Sequence, residues 1–362
     1  MNSAHEFITI GDSAAYRRYY VNAIAGIGNV SIKVISPEPQ RIDKFHETLA
    51  DIVRQKKPGR RFIISTPTDS HLFYVKYLSE NEEKFFVEKP LVGNMKELAE
   101  SILHFDEFFK YSFLLQYYIL EKALSVTYLI SRFPEFEQFL CTEGDKLSLQ
   151  NHRQTFLFDT FERLGKARNI EINILEGRDR SHSGPELHWT ERKENCGMFL
   201  ELGIHAFSLL RLIAGPEKVN HINKLKLYTD ETRKSQLMLK SEKNELSATS
   251  AKIAGQMEAR NNYEVEYKIH IGKQFPSREC KRDMTVYYES GYIHCNFDKE
   301  TTAIAPHSGK KLYLSTVIEH KYMGMFKLGL IERSLSDYRL DIPEFQLAAL
   351  RDIFNIHENA RF

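Results

Sequence analysis

Three polar side chains fall at helical spacing inside an otherwise apolar stretch, residues 197–215. Glu201, His205 and Ser208 stand at i, i+4 and i+7, which is one face of an α-helix, and their neighbours are mostly Leu, Ile, Phe and Met. Buried polar groups need partners or a cavity. The face therefore predicts either a site that handles a proton or a structural Glu–His pair, since a lone buried histidine is usually a core residue.

A second candidate lies in the segment Glu88-Lys89-Pro90, directly after a short apolar run. Pro90 disfavours helical backbone at Lys89, and ligands of open α/β sheets lie beyond the carboxyl ends of the strands. The segment fits a cation placed toward a ligand, and it equally fits a solvated lysine in a loop between strand and helix.

Gly11 directly follows the first apolar run, where dinucleotide-binding folds turn tightly and aim a helix N-terminus at phosphate. In the frame G-x-G-x-x-G, the second and third positions hold Ser13 and Tyr16. A serine hydroxyl can still donate to phosphate, whereas a tyrosine at the third position would crowd the packing of helix on strand. The glycine taken alone also fits a plain turn.

A regular alternation of strand and helix must position these residues. Apolar runs predict strands at 7–10, 30–35, 61–65 and 85–87. Amphipathic stretches predict helices after Asp12 and at 42–53, 71–79 and 94–109. This alternation predicts right-handed crossovers and a doubly wound parallel sheet. Runs of period two at 264–271 and 284–288 predict a second, antiparallel sheet domain.

Length and charge narrow the class of protein. The chain has 362 residues, and at ~150 residues per domain two domains are expected. Lys+Arg 50 against Asp+Glu 49 leaves a formal charge of +1, so we expect no nucleic-acid partner. The longest apolar stretch, residues 111–130, carries Glu121 and Lys122, and we expect no membrane span.

Cysteine use and the first residues favour a cytoplasmic protein. The first residues lack the basic and apolar regions of a signal peptide. The cysteines are too widely spaced for paired CxxC zinc ligands, and their small number fits free thiols in a reducing compartment. They are Cys141, Cys196, Cys280 and Cys295.

Taken together, three segments resemble the Gfo/Idh/MocA family of nicotinamide-dependent oxidoreductases. The segments are 65–71 (STPTDSH), 86–91 (FVEKPL) and 196–206 (CGMFLELGIHA), in this order and spacing. The resemblance implies an α/β protein with an N-terminal Rossmann domain, residues 1–120, that binds the dinucleotide. It also implies a C-terminal α/β domain on an open, largely antiparallel sheet, residues 121–362, for substrate binding and oligomerisation.

The resemblance implies reversible hydride transfer between NADP or NAD and a carbinol or carbonyl carbon of a sugar, cyclitol or sugar nucleotide. Lys89 would polarise the reacting oxygen, and His205 would exchange its proton. Glu201, where the family usually has Asp, would orient His205 or bind a neighbouring hydroxyl. The residues expected at the cofactor are Gly11, Ser13, Ser36, Thr66, Pro67, His71, Glu88 and Lys89.

Two further expectations concern cofactor choice and assembly. The second strand ends near Ser36 instead of an acidic residue, and Arg41 follows, which favours NADP(H), although Glu38 would fit an NAD-type acidic role. Tyr263, Val265, Tyr267 and Ile269 alternate along one strand, and we expect the outer face of the second sheet to form a homodimer or homotetramer.

A different class of function also fits the chain. A noncatalytic binding or regulatory protein with the same fold and pocket would have lost productive cofactor binding, which Ser13 and Tyr16 favour. Lys89, Glu201 and His205 together favour the enzyme.

Overall fold

The computed structural model divides into two compact units. One comprises Met1–Tyr117 with His320–Leu347, and the other comprises Tyr118–Glu319 with Ala348–Phe362. The residues that the structure describes are 5–13, 15–36, 42–115, 164–177, 199–214, 220–228, 250–258, 263–299, 301–308, 311–315, 322–323, 326, 330 and 342–359.

The first unit is built on a parallel sheet. Among the described residues it has five strands in the order β2-β1-β3-β4-β5, and every neighbouring pair is parallel. The central strands are buried along their length, as expected of a parallel sheet covered on both faces. The strands are β1 (His5–Ile10), β2 (Val30–Ile35), β3 (Arg60–Ile64), β4 (Phe85–Glu88) and β5 (Ser112–Leu115).

Short amphipathic helices connect these strands. In α2 the buried residues Phe45, Leu49, Ile52 and Val53 recur at helical spacing. Asn94 caps α4, because its side chain accepts the Glu97 N–H at 3.0 Å. A π-helical turn, Tyr16–Tyr20, runs directly into the first α-helix. The helices of this unit are α1 (Val21–Ala25), α2 (Ile42–Arg54), α3 (His71–Glu80), α4 (Met95–Leu103) and α5 (Phe105–Phe109).

The second unit contains a larger, mostly antiparallel sheet. In the part of the chain that is described, its eight strands follow the order β13-β12-β11-β10-β6-β9-β8-β7. Only β6 and β9 are parallel neighbours in it. The strands are β6 (Ala167–Gly177), β7 (Asn220–Tyr228), β8 (Ser250–Glu258), β9 (Glu264–Phe275), β10 (Lys281–Tyr288), β11 (Gly291–Asn296), β12 (Thr301–Pro306) and β13 (Leu312–Ser315).

Two helices cover one face of this sheet. A π-helical turn, Phe199–Gly203, leads into α6 (Ile204–Ala214), and the last helix is α7 (Ile342–Asn359). A Cβ placed on Gly203 would meet Ile271 of β9 at 3.5 Å and Ile353 of α7 at 3.7 Å. The buried Arg211 binds Asp352 through two nitrogens, at 2.9 and 2.6 Å, and so joins α6 to α7.

These observations confirm the predicted fold class, an α/β protein with an N-terminal parallel Rossmann-type sheet and a second, largely antiparallel sheet. Three local predictions were wrong in detail. The predicted helix 94–109 is two helices, divided at His104. The predicted helices after Asp12 and within 197–215 each contain a π turn.

Val265, Tyr267 and Ile269, whose alternation suggested an outer face for subunit contacts, lie on the face of the second sheet that the helices cover. All three are buried, and they are in phase with Ile271, which packs against the π turn at Gly203. The opposite face of β9 is polar and exposes Glu264, Glu266 and Lys268. Alternation along a strand separates two faces but does not identify the face that helices cover.

Candidate functional site

The Gly11 turn lies at the carboxyl edge of the parallel sheet. Its φ is +90°, and a Cβ there would stand 2.6 Å from the Ser65 carbonyl oxygen. The Gly11 N–H donates to the carbonyl of Ile35 at 2.9 Å. The turn thus fits between the ends of β2 and β3, and only glycine meets both the backbone angle and the close approach. This is the edge at which α/β sheets bind ligands.

Ser13, at the second glycine position of the fingerprint, caps the following helix. Its hydroxyl oxygen accepts the Tyr16 N–H at 3.1 Å and lies 2.6 Å from the Ser65 hydroxyl oxygen. The side chain therefore orders the turn and links it to the end of β3. Within the described residues, the backbone N–H groups of Asp12 and Ser13 have no acceptor and remain for a ligand.

Tyr16, at the third glycine position, is accommodated in a π turn. The side chain is buried, and the Val21 N–H bonds to the Tyr16 carbonyl in the i→i+5 pattern. Burial raises the pKa of the Tyr16 hydroxyl. Tyr16 was predicted to crowd the packing of the helix on the strand. The helix contains an extra residue per turn at this position, and Gly11 retains the positive φ of a tight turn.

Glu88 is a buried carboxylate whose two oxygens are both bonded. The Tyr20 hydroxyl donates to Oε1, and the Lys89 N–H donates to Oε2 at 2.8 Å. Burial raises the pKa of Glu88, while Lys89, Tyr20 and the backbone bond oppose the rise. Burial also raises the pKa of Tyr20 well above its ordinary value. The helix after the Gly11 turn is in this way joined to the end of β4.

Lys89 follows β4 at the same edge of the sheet, and its peptide bond to Pro90 is cis. The side chain is half-buried. In the described ranges its ammonium makes no hydrogen bond and no close ion pair, although its charge lowers the pKa of the neighbouring Glu88. A lysine whose backbone is held in place and whose side-chain nitrogen has no hydrogen bond can stabilise negative charge on a ligand oxygen.

His71 ties together the loops that follow β3 and β4. Its Nε2 lies 2.8 Å from the Thr66 carbonyl oxygen, and its Nδ1 lies 2.8 Å from the Pro90 carbonyl oxygen. The ring is buried, and this burial lowers the pKa of His71 although both carbonyls oppose the shift. Both nitrogens face backbone acceptors, so the ring braces the loops instead of presenting a nitrogen to a ligand.

The remaining predicted cofactor residues lie on the same edge. The Ser70 hydroxyl donates to Thr66 Oγ1 at 2.7 Å and to the Pro67 carbonyl at 2.8 Å, which orders the Thr66-Pro67 turn. Ser36 is exposed just after β2. Glu38 and Arg41, which the prediction of cofactor choice used, lie outside the described residues. The structure therefore brings Gly11, Ser13, Ser36, Thr66, Pro67, His71, Glu88 and Lys89 to the carboxyl edge of one sheet.

Within the second unit, the predicted polar face is divided between two kinds of helix. Glu201 lies in the π turn, whereas His205 and Ser208 lie in α6 and are buried. Glu201 binds the ammonium of Lys273, a residue of β9 that the sequence prediction did not include. Alternation along the strand could not have placed it, because the register between β6 and β9 shifts between Gly272 and Phe275.

The described part of the chain offers neither a metal-binding cluster nor a membrane-spanning helix. Among the described residues, no group of three or more His, Cys, Asp or Glu side chains is arranged to hold a metal ion. No helix in the described ranges is long and apolar enough to span a bilayer. Cys280 and Cys295 are free thiols, whereas Cys141 and Cys196 lie outside the described residues.

No protein-family model and no curated protein sequence matches the chain. Solved structures do match over nearly its whole length. A UDP-N-acetylglucosamine 3-dehydrogenase from Acidithiobacillus ferrooxidans is 13% identical to this chain, with a TM-score of 0.60. The match covers 98% of this chain and 96% of the dehydrogenase. A 3-ketoreductase from Actinomadura kijaniata, solved with NADP and TDP-benzene, is 11% identical, with a TM-score of 0.62. The match covers 98% of this chain and 97% of the ketoreductase.

A biliverdin reductase from Synechocystis, solved with biliverdin and NADP+, is also similar. It is 11% identical, with a TM-score of 0.58, and covers 98% of this chain and 99% of its own. At such identities the comparisons establish the shared two-domain fold. All three neighbours are oxidoreductases, yet their substrates differ in kind, and membership of the Gfo/Idh/MocA family stays a prediction.

Proposed function

We propose that this protein is an NAD(P)-dependent oxidoreductase that transfers a hydride between the cofactor and a carbinol or carbonyl carbon of a sugar, cyclitol or sugar nucleotide. The observation that carries the proposal is the Lys89 ammonium, uncommitted in the described ranges, on the same sheet edge as the Gly11 turn. The neighbours solved with NADP have the same fold, which supports the cofactor class.

The residues of the Gly11 turn fit a dinucleotide. The close approach of Gly11 to Ser65 leaves the N–H groups of Asp12 and Ser13 at the start of a helix, where phosphate is favoured. The Asp12 carboxylate beside them would repel phosphate, and Arg17 lies 3.5 Å from it and offsets that charge. The nicotinamide, when bound, supplies or accepts the hydride.

The chain's own residues would position the reactants and handle the proton. Lys89 would donate a hydrogen bond to the reacting oxygen and stabilise its negative charge. His205 would exchange the proton of the hydroxyl. Glu88, with both oxygens bonded, would keep the Lys89 backbone in place.

Cofactor preference and assembly remain part of the proposal. Ser36 at the end of β2 presents no carboxylate, so a 2′-phosphate meets no repulsion there, which favours NADP(H). Direct binding measured for NADPH and NADH would contradict this if NADH bound tenfold more tightly.

We expect a homodimer or homotetramer, and its contact surface on the second sheet would be the polar face of β9.

A noncatalytic binding protein is the second candidate, and the engaged Ser13 hydroxyl favours it. The two are separated by incubating the protein with NADP+ or NADPH and a panel of sugar nucleotides and cyclitols while absorbance at the nicotinamide band is followed. The enzyme gives turnover that Lys89→Met removes. A binding protein gives stabilisation by a ligand without turnover for any substrate in either direction.

A further inference from the structure

The contact between Lys273 and Glu201 is unusual in its exposure. The two side chains are 20% and 22% exposed. A buried structural pair of the same unit, Arg211 with Asp352, is 2% and 5% exposed, and a surface pair, Lys268 with Glu171, is 63% and 36% exposed. The Lys273–Glu201 pair is thus shielded enough to strengthen its charges and open enough to be reached by a ligand.

Lys273 places a half-buried charge beside the apolar side of β9. Ile269 and Ile271 are buried on the helix-facing side, and Lys273 follows Gly272, where the register between β6 and β9 shifts. A lysine that loses solvation needs a compensating partner. Glu201 is that partner, and among the described residues the Lys273 ammonium bonds only to it.

The π turn brings Glu201 to this lysine. Gly203, the last residue of the turn, packs directly on Ile271, which lies two residues before Lys273. The turn lies against β9, and the Glu201 side chain reaches Lys273 near the end of the strand. π turns within helices occur frequently at functional sites. His205 follows in the first turn of α6.

We propose that Lys273 is a substrate-binding residue and that Lys273 and Glu201 together bind two neighbouring hydroxyl groups of the substrate. A carboxylate only accepts hydrogen bonds and an ammonium only donates them, whereas a hydroxyl does both. Two adjacent hydroxyls of a sugar or cyclitol ring therefore satisfy the pair, one donating to Glu201 and one accepting from Lys273. The proposal rests on the proposed function and specifies its substrate site.

The test compares Lys273→Met with Lys268→Met, its matched control on the same strand. Calorimetric titration uses UDP-N-acetylglucosamine, UDP-glucose and myo-inositol, with and without NADP+. For each probe that the native protein binds, we expect Lys273→Met and Glu201→Gln each to raise the dissociation constant tenfold or more. Lys273→Arg, which keeps the charge, should restore part of the affinity, and Lys268→Met should bind as the native protein does. The double variant should lose little more than either single variant, because the two side chains act as a unit.

Two outcomes overturn the inference. One is equal affinity of the native and Lys273→Met proteins for every probe that binds. The other is no binding of any of the three probes to the native protein. A lower melting temperature in Lys273→Met with unchanged probe affinity belongs to the first outcome and assigns the pair a structural role. Failure of the proposed function is seen separately, as absence of NADPH binding or of hydride transfer in the native protein.

Discussion

The Tyr20 hydroxyl donates a hydrogen bond to one oxygen of the Glu88 carboxylate, and the Lys89 N–H donates to the other at 2.8 Å. Tyr20 belongs to the helical turn that follows Gly11, and Glu88 ends β4 just before Lys89. This relationship connects the turn that we assign to the cofactor with the lysine that we assign to the reaction.

Gly11→Ala should lower both stability and cofactor affinity. The left-handed φ costs a non-glycine residue ~1–2 kcal/mol, and the clash with Ser65 adds to it. Gly28→Ala is the matched control, because Gly28 has φ +78° but open space around its Cβ position. Thermal unfolding and NADPH titration of both variants separate the effects. Equal losses in the two variants would contradict the role of the close approach at Gly11.

Glu88→Gln should remove a pH dependence of the unfolding free energy. Burial holds the pKa of Glu88 above its ordinary value of 4.5, so the folded chain keeps a proton that the unfolded chain releases. The stabilisation from that proton is present below pH 4.5 and is lost as the pH rises through the folded pKa. Urea unfolding across this window should show the fall in the native protein and not in Glu88→Gln. Glu107→Gln, an exposed carboxylate, is the control.

His71→Phe should loosen the loops after β3 and β4. A neutral imidazole has one N–H, so the change leaves whichever carbonyl accepts it, Thr66 or Pro90, without a donor, at a cost of about 1–3 kcal/mol. We expect a lower melting temperature and weaker NADPH binding, whereas His104→Phe, at an exposed site, should change neither. Unchanged cofactor affinity in a folded His71→Phe protein would limit His71 to stability.

The acid side of the stability curve gives a further check on His71. Its folded pKa lies below the ordinary 6.5, so the unfolded chain binds a proton first. Stability contributed by neutral His71 is therefore present above pH 6.5 and is lost as the pH falls through the folded pKa. Nitrogen-15 NMR of the ring reports this titration directly, and a folded pKa above 6.5 would contradict it.

Lys89→Met should reduce turnover and leave the cofactor bound. The methionine keeps the apolar stem and removes a charge that acts mainly in the transition state, so kcat and kcat/KM should fall together by ~100-fold or more. Lys96→Met, an exposed lysine of α4, serves as the control. A Lys89→Met protein with native turnover would remove Lys89 from the reaction.

His205→Asn distinguishes chemistry from packing in the second unit. If His205 exchanges the proton, turnover should fall by roughly 10²- to 10⁴-fold and one ionisation should leave the pH profile. A lower melting temperature with native single-turnover rate and pH dependence in the folded fraction would assign His205 to the core, where it is buried.

Local patterns predicted much of the fold because strands, helices and turns depend on residues that are close together in the sequence. The apolar runs gave β1 to β4 of the first sheet within one or two residues but did not predict β5, and Gly11 marked the turn after β1. The two π turns were not predictable from apolar periodicity, since i→i+5 bonding adds a residue without changing which side chains are apolar.

Partners distant in the chain limited the prediction of the site. Tyr20 and Glu88 are 68 residues apart, and Lys273 and Glu201 are 72 apart. No spacing rule joins such pairs, because the packing of helices on sheets brings them together. The same limit explains β9, where period two identified two faces and the helices α6 and α7 decided which was covered.

Titration of the native protein with NADPH, followed by nucleotide fluorescence, tests whether the Gly11 turn binds a nicotinamide cofactor. We expect saturable binding in the range of about 1 μM to 1 mM typical of enzyme KM values, with loss of affinity in Gly11→Ala and not in Gly28→Ala. Absence of any saturable change with NADPH or NADH at millimolar concentration would contradict it.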